Sequence, residues 1–162
     1  HRALTSRNSL GALRGAAARL NPDLIASNEG GSNLTLVRAG GVLGGIAERR
    51  ELAIHEGRPE RRAMALTRTS AGLCVANLHA STNAPALAGP EVLRAAEAAT
   101  EWAGDAPLLF GGDLNLRPGR SPEVFEELEE RFGLSGMTAP DSIDHLLVDD
   151  LQRFSQSFPD AG

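Results

Sequence analysis

Apolar and polar positions alternate or recur along this chain in a way that predicts its elements one after another. Ser9 to Leu20 carries Leu10, Leu13, Ala17 and Leu20 near helical spacing, with Asn8 or Ser9 as N-cap and Asn21-Pro22 as the stop. Asp23 to Ala26 reads as a short strand, and Asn28 to Asn33 as a turn or loop. Asn33 to Arg38 alternates polar and apolar, the pattern of a half-buried strand, and the glycine-rich Ala39–Gly45 predicts a turn. Arg50 to His55 alternates again. Two β-rich runs, Arg62–Arg68 and Leu73–His79, flank Thr69-Ser70-Ala71-Gly72 and predict a hairpin with Gly at its turn.

Residues 80–89 read as an irregular loop, and Pro90 as the first residue of a helix whose buried stripe is Val92, Leu93, Ala96, Ala99 and Trp102. Gly104 closes it. Leu108-Leu109-Phe110 predicts a buried strand that ends in Gly111-Gly112 and delivers Asp113 and Asn115 at alternate positions, with Leu114 turned back to the core. Ser121-Pro122 starts a helix whose stripe is Val124, Phe125, Leu128 and Phe132 and which ends at Gly133. Ser142 to Val148 reads as a buried strand entered by an acid, and residues 152–162 are irregular. Strand, hairpin, strand, helix, strand, helix, strand is the order of an α/β sandwich with a site along one edge.

Composition narrows the function classes. At 162 residues, 41% hydrophobic and 23% charged, the chain suits one globular domain spanning residues 1–162. No apolar run reaches membrane-spanning length, and no signal peptide is evident. The single Cys74 excludes an internal disulfide, offers no zinc spacing and is compatible with a reducing, cytoplasmic location. A monomer is expected. The net charge of −5 argues against a protein that coats nucleic acid. All 16 basic residues are Arg, and five of them fall between Arg49 and Arg62. Arg forks suit phosphate, but a compositional bias towards Ala, Gly and Arg better explains most of them.

The candidate chemistry gathers at strand ends: Asn77-Leu78-His79, Asp113-Leu114-Asn115 and Asp144-His145. A carboxylate and a carboxamide on one side suit a divalent cation and a phosphate oxygen, whereas a lone G-D-x-N is equally a strand followed by an Asx turn. Asp144 at a strand start could simply accept backbone N–H bonds. His145, one residue on, points to the opposite side and reads as structural. His1 and His55 read as surface residues, Cys74 as a buried small hydrophobe, and Trp102 as a core residue of its helix.

In this order, Val75-Ala76-Asn77-Leu78-His79, Phe110-Gly111-Gly112-Asp113-Leu114-Asn115 and Ser142-Ile143-Asp144-His145 resemble the endonuclease/exonuclease/phosphatase superfamily, metal-dependent phosphoesterases related to pancreatic deoxyribonuclease. The strand 31–38 is similar to the family strand preceding them, and the resemblance covers most of Asn33 to Val148. It implies an α+β fold, a two-layer β-sandwich of mixed sheets flanked by helices, here incomplete at both ends. It implies Mg²⁺ or Mn²⁺ as cofactor and a phosphorylated substrate: nucleic acid, nucleotide, or a phospholipid or inositol phosphate head group. Few aromatics (4%) and no Lys speak against long single strands or duplex DNA.

Carried over by residue, Asp113 would orient or activate the attacking water and touch the metal, with Asn115 holding that water or the phosphate. His79 would hydrogen-bond the phosphate or protonate the leaving oxygen, and Asn77 would contact substrate. Asp144 would orient a second histidine. Two family features differ. The family's metal-binding Glu lies in an early Gln-Glu motif; here Glu29, after Pro22-Asp23-Leu24-Ile25, stands near that place without the motif. The closing Ser-Asp-His motif is not found, so the expectation is an internal segment of a longer protein. A non-catalytic remnant or binding module that keeps the fold is the alternative. A zinc hydrolase is disfavoured, because four scattered His and one Cys form no spaced ligand set.

Overall fold

The computed structural model describes residues 33–56, 61–82, 84–136 and 139–149. The helix expected over Ser9–Leu20, the strand at Asp23–Ala26, Glu29 and the tail from Gln152 lie outside the described residues. Five strands form one mixed sheet: β1 (Ile46–His55), β2 (Arg62–Thr69), β3 (Cys74–His79), β4 (Leu108–Asp113) and β5 (Asp144–Val148). They lie in sequence order across it. Helix α1 (Pro85–Ala103) connects β3 to β4, and α2 (Pro122–Phe132) connects β4 to β5. Only β3 and β4 run parallel, which the long α1 crossover permits; the other neighbours are antiparallel.

The hairpin forms as its turn chemistry dictates. Thr69 N–H bonds Leu73 O at 2.8 Å, Leu73 N–H bonds Thr69 Oγ1 at 3.1 Å, and Gly72 takes φ +92°, which a side chain would resist. Beyond it, strand alternation sorts side chains by face. Met64, Leu66, Cys74, Ala76, Leu78, Leu108, Phe110 and Leu147 face the helices and are buried. They meet Ala88, Val92, Ala95, Ala96 and Ala99 of α1 and Val124 and Leu128 of α2 in one core. Small Ala side chains along α1 let it lie close to the sheet. Cys74 is fully buried within this layer, and burial pushes its thiol pKa up.

Several sequence expectations need correction. Helix α1 starts at Pro85, not Pro90, because Ala84-Pro85 already supplies a first-turn proline, and the helix runs on through Pro90. The preceding Gly89 is buried, and a Cβ added there would lie 3.4 Å from Val124 Cγ2 of α2. Strand β1 begins four residues earlier than the alternation predicts. Helix α2 and its left-handed Gly133 end stand where expected, although Ser121 makes no side-chain capping bond. The largest difference is Asn33–Arg38. It is extended but joins no ladder, and its alternation is inverted, with Leu34 and Leu36 73% and 83% exposed. Side chains hold it instead: Asn33 Nδ2 donates to Ala63 O, and Asn77 Nδ2 to Leu34 O, at 2.6 and 3.0 Å. The Asn33 side chain is thereby turned to the sheet, and the two leucines on the alternate positions are left exposed.

Candidate active site

The face of the sheet opposite the helices is ordered in rows. Register aligns Thr67, Val75, Leu109 and Val148, then Ala65, Asn77, Gly111 and Leu146, then His79, Asp113 and Asp144. Residues paired across strands point to one side, so the third row brings the three sequence-predicted residues onto a common face. Polarity rises towards the C-terminal ends of the parallel strands β3 and β4, the end where open α/β sheets present ligands.

Two glycines make that row possible. A Cβ on Gly111 would run into the His145 backbone carbonyl of β5, and one on Gly112 into Leu78 O of β3. Gly112 also takes φ +119°. Both neighbouring strands therefore approach the β4 backbone where only hydrogen fits. Strand β4 ends at Asp113, so the expected alternation does not carry on to Asn115, which adopts the left-handed φ of +53°.

The polar groups interlock at this rim. Asp113 Oδ2 stands 3.6 Å from His79 Nε2, an ion-pair distance longer than a hydrogen bond, and both side chains are about a third exposed. Asp113 Oδ1 accepts the Asn115 N–H at 3.2 Å. Asn115 Nδ2 donates to Ala80 O at 3.0 Å, and Ala80 N–H to Asp113 O at 2.9 Å. The carboxamide of Asn115 thus ties the end of β4 to the end of β3. Asn77 sits one row behind, with its amide nitrogen on Leu34 O. Asp144 is exposed at the start of β5, and Ser142 Oγ donates to its backbone oxygen at 2.8 Å.

A cleft of about 490 Å³ opens over this end, lined by Gly112, Asp113, Ala139, Ser142, Asp144, His145 and Leu146. Ser142 is a lining residue that sequence reasoning passed over; its only signal was its position two residues before Asp144. His145 is structural, as expected: it is buried against Phe125 at 4.8 Å, with Nε2 on Leu116 O at 2.8 Å. No histidine faces Asp144 among the described residues. His55, expected at the surface, is half-buried 3.7 Å from the buried carboxylate of Glu91.

Among the described residues no three His, Cys, Asp or Glu side chains cluster tightly enough to cage a metal ion. The donor set is instead two carboxylates, Asp113 and Asp144, in one row. Carboxylate oxygens are the donors that Mg²⁺ and Mn²⁺ prefer, and these two residues could contribute to holding such an ion. No helix among the described residues is long and apolar enough to cross a membrane.

Comparison with solved structures places this architecture. A mannosyl-6-phosphatase of Bacteroides thetaiotaomicron superposes with a TM-score of 0.53 at 13% identity, over 64% of this chain and 52% of that one. An endonuclease/exonuclease/phosphatase family protein of the same organism gives 0.50 at 14% identity, over 64% and 49%. Sphingomyelinase C from Streptomyces griseocarneus gives 0.50 at 12%, over 65% and 50%. The fold is α+β and deoxyribonuclease-I-like, as in these proteins. This chain spans about half the length of each of these three proteins. No protein-family model matches the sequence, and no curated protein matches it.

Proposed function

We propose that this chain carries the catalytic edge of a divalent-metal-dependent phosphoesterase hydrolysing a phosphodiester or phosphomonoester. One observation carries the reading: His79, Asp113 and Asp144 share a single register row at the open end of the sheet, beside a cleft. The fold likeness to a phosphatase and a sphingomyelinase C supports it.

The geometry supports a role for each residue. Asn115 N–H holds Asp113 Oδ1, which leaves Oδ2 directed towards His79 and available to orient an attacking water. His79 Nε2 hydrogen-bonds a phosphoryl oxygen or gives its proton to the leaving oxygen, with Asp113 as its charge partner. Asp113 and Asp144 would hold the cation, and Glu29, outside the described residues, is a further candidate ligand. When bound, the cation neutralises charge developing on the phosphoryl oxygens. Small phosphorylated molecules suit a chain of net charge −5 better than long nucleic acid does.

The test is hydrolysis of an aryl phosphodiester and of the matching monoester with Mg²⁺, Mn²⁺ or chelator. Metal-dependent turnover that disappears in both Asp113→Ala and His79→Ala is expected, with each variant still folded. Unchanged turnover in both variants would sink these assignments. No turnover of either ester with either metal would leave the fold-retaining, non-catalytic module as the reading for this chain.

A further inference from the structure

Glu91 is the one acidic side chain among the described residues that is essentially buried, with 1% of its surface exposed. It lies on the sheet-facing side of α1, among Ala88, Val92 and Ala95. A carboxylate there is costly unless its oxygens are satisfied. Both are, and by one residue: Ser81 donates its backbone N–H to Oε2 and its hydroxyl to Oε1, each at 2.8 Å. His55 Nδ1, at the end of β1, lies 3.7 Å from Oε1.

Ser81 stands two residues beyond His79, and the intervening segment is held at every residue. Arg62, itself buried, donates from Nη1 to His79 O at 3.5 Å. Ala80 is fixed through both backbone groups to Asp113 O and Asn115 Nδ2. Glu91 then anchors the far end. The carboxylate lies between serine and histidine, so this is no nucleophilic triad, which needs the histidine in the middle. Its burial also keeps it from any substrate.

We propose that Glu91 is a positioning residue: by clamping Ser81 from α1 it fixes the exit of β3 and with it the direction of the His79 imidazole towards Asp113. The catalytic part of this inference rests on the phosphoesterase reading; the geometric part does not. Methionine at 91 keeps the length and bulk but offers no comparable acceptor to either Ser81 donor, whereas glutamine could keep both bonds by accepting the N–H and donating to the hydroxyl oxygen.

Four proteins test this: wild type, Glu91→Met, Ser81→Ala, and Arg94→Gln as an exposed control on the same helix. Near-UV circular dichroism reports folding, and the His79 ¹³Cε1–¹H resonance, assigned by its loss in His79→Ala, reports the imidazole. In Glu91→Met the resonance is expected to move or broaden, and kcat to fall roughly 10- to 100-fold with KM nearly unchanged, the scale on which lost supporting contacts act. Ser81→Ala shifts both readouts in the same direction by less, and Arg94→Gln shifts neither. A folded Glu91→Met with wild-type His79 resonance overturns the proposal. So does wild-type kcat in an active preparation. If Glu91→Met does not fold, an unmoved resonance in folded Ser81→Ala overturns it equally. Absence of turnover in the wild type counts against the phosphoesterase reading alone and leaves the resonance to decide the clamp.

Discussion

The two faces of one sheet, built from alternate residues of the same strands, are put to opposite uses. On the helix side Met64, Leu78, Phe110 and Leu108 are fully or almost fully buried, each filling volume that no neighbour could supply. On the other side Leu146 is 68% exposed, and the row that ends in His79, Asp113 and Asp144 meets a cleft. Stability is concentrated on the first face and the proposed chemistry on the second. Polar groups that a core would exclude are therefore tolerated at the rim, because the load of folding lies one residue away on the same strand.

Substitutions can break or sharpen this contrast. The largest effect is expected from Phe110→Ala, where an emptied core site costs about 3–5 kcal/mol in urea unfolding. A cost near zero would mean the helix face is not the stabilising one. Gly111→Ala comes next, at roughly 1–3 kcal/mol, because its Cβ meets the unyielding His145 carbonyl and forces β4 and β5 apart. Leu146→Ala, on the open face, should change stability by no more than about 0.5 kcal/mol. A loss comparable to that of Phe110→Ala would show that this face is covered in solution.

The smallest effect belongs to Glu48. The Arg50 guanidinium bonded to it, with Arg68 also near, holds its carboxyl below the ordinary 4.5. A lowered carboxylate pKa contributes stability above the ordinary value and loses it as pH falls through the lowered one. Glu48→Gln should therefore slightly lower the melting temperature at pH 7 and converge with wild type as pH falls below about 4.5, flattening the acid-side fall. An unaltered acid limb would remove the pair from the balance.

Local chemistry was legible in the sequence wherever it sat within one element. The hairpin was marked by Thr69-Ser70-Ala71-Gly72, α2 by Pro122 and Gly133, and the three strand ends by their polar trios. What alternation could not supply was partner identity. Asn33–Arg38 has the period of a strand, yet which of its faces turned inward depended on Ala63 and Asn77, far away in sequence. The shared row of His79, Asp113 and Asp144 likewise depends on register between strands. Glu91 was missed although its signal was present, since an acid among Ala88, Val92 and Ala95 breaks an apolar stripe and asks for a buried partner. His55 was misread for the same reason, its partner being that acid.

The parallel pairing of β3 with β4 also bears on how the site comes into being. The hairpin of β2 and β3 closes over a turn of a few residues, whereas His79 reaches Asp113 only after the whole of α1 has been traversed and docked. Closing the longer loop carries the larger entropic cost and depends on non-local contacts. The hairpin can thus put His79 at the end of a finished strand while its acid is still elsewhere in the chain. A chain in which only the hairpin had formed would hold the imidazole without the carboxylate opposite it, so the proposed pair is complete only when the sheet closes.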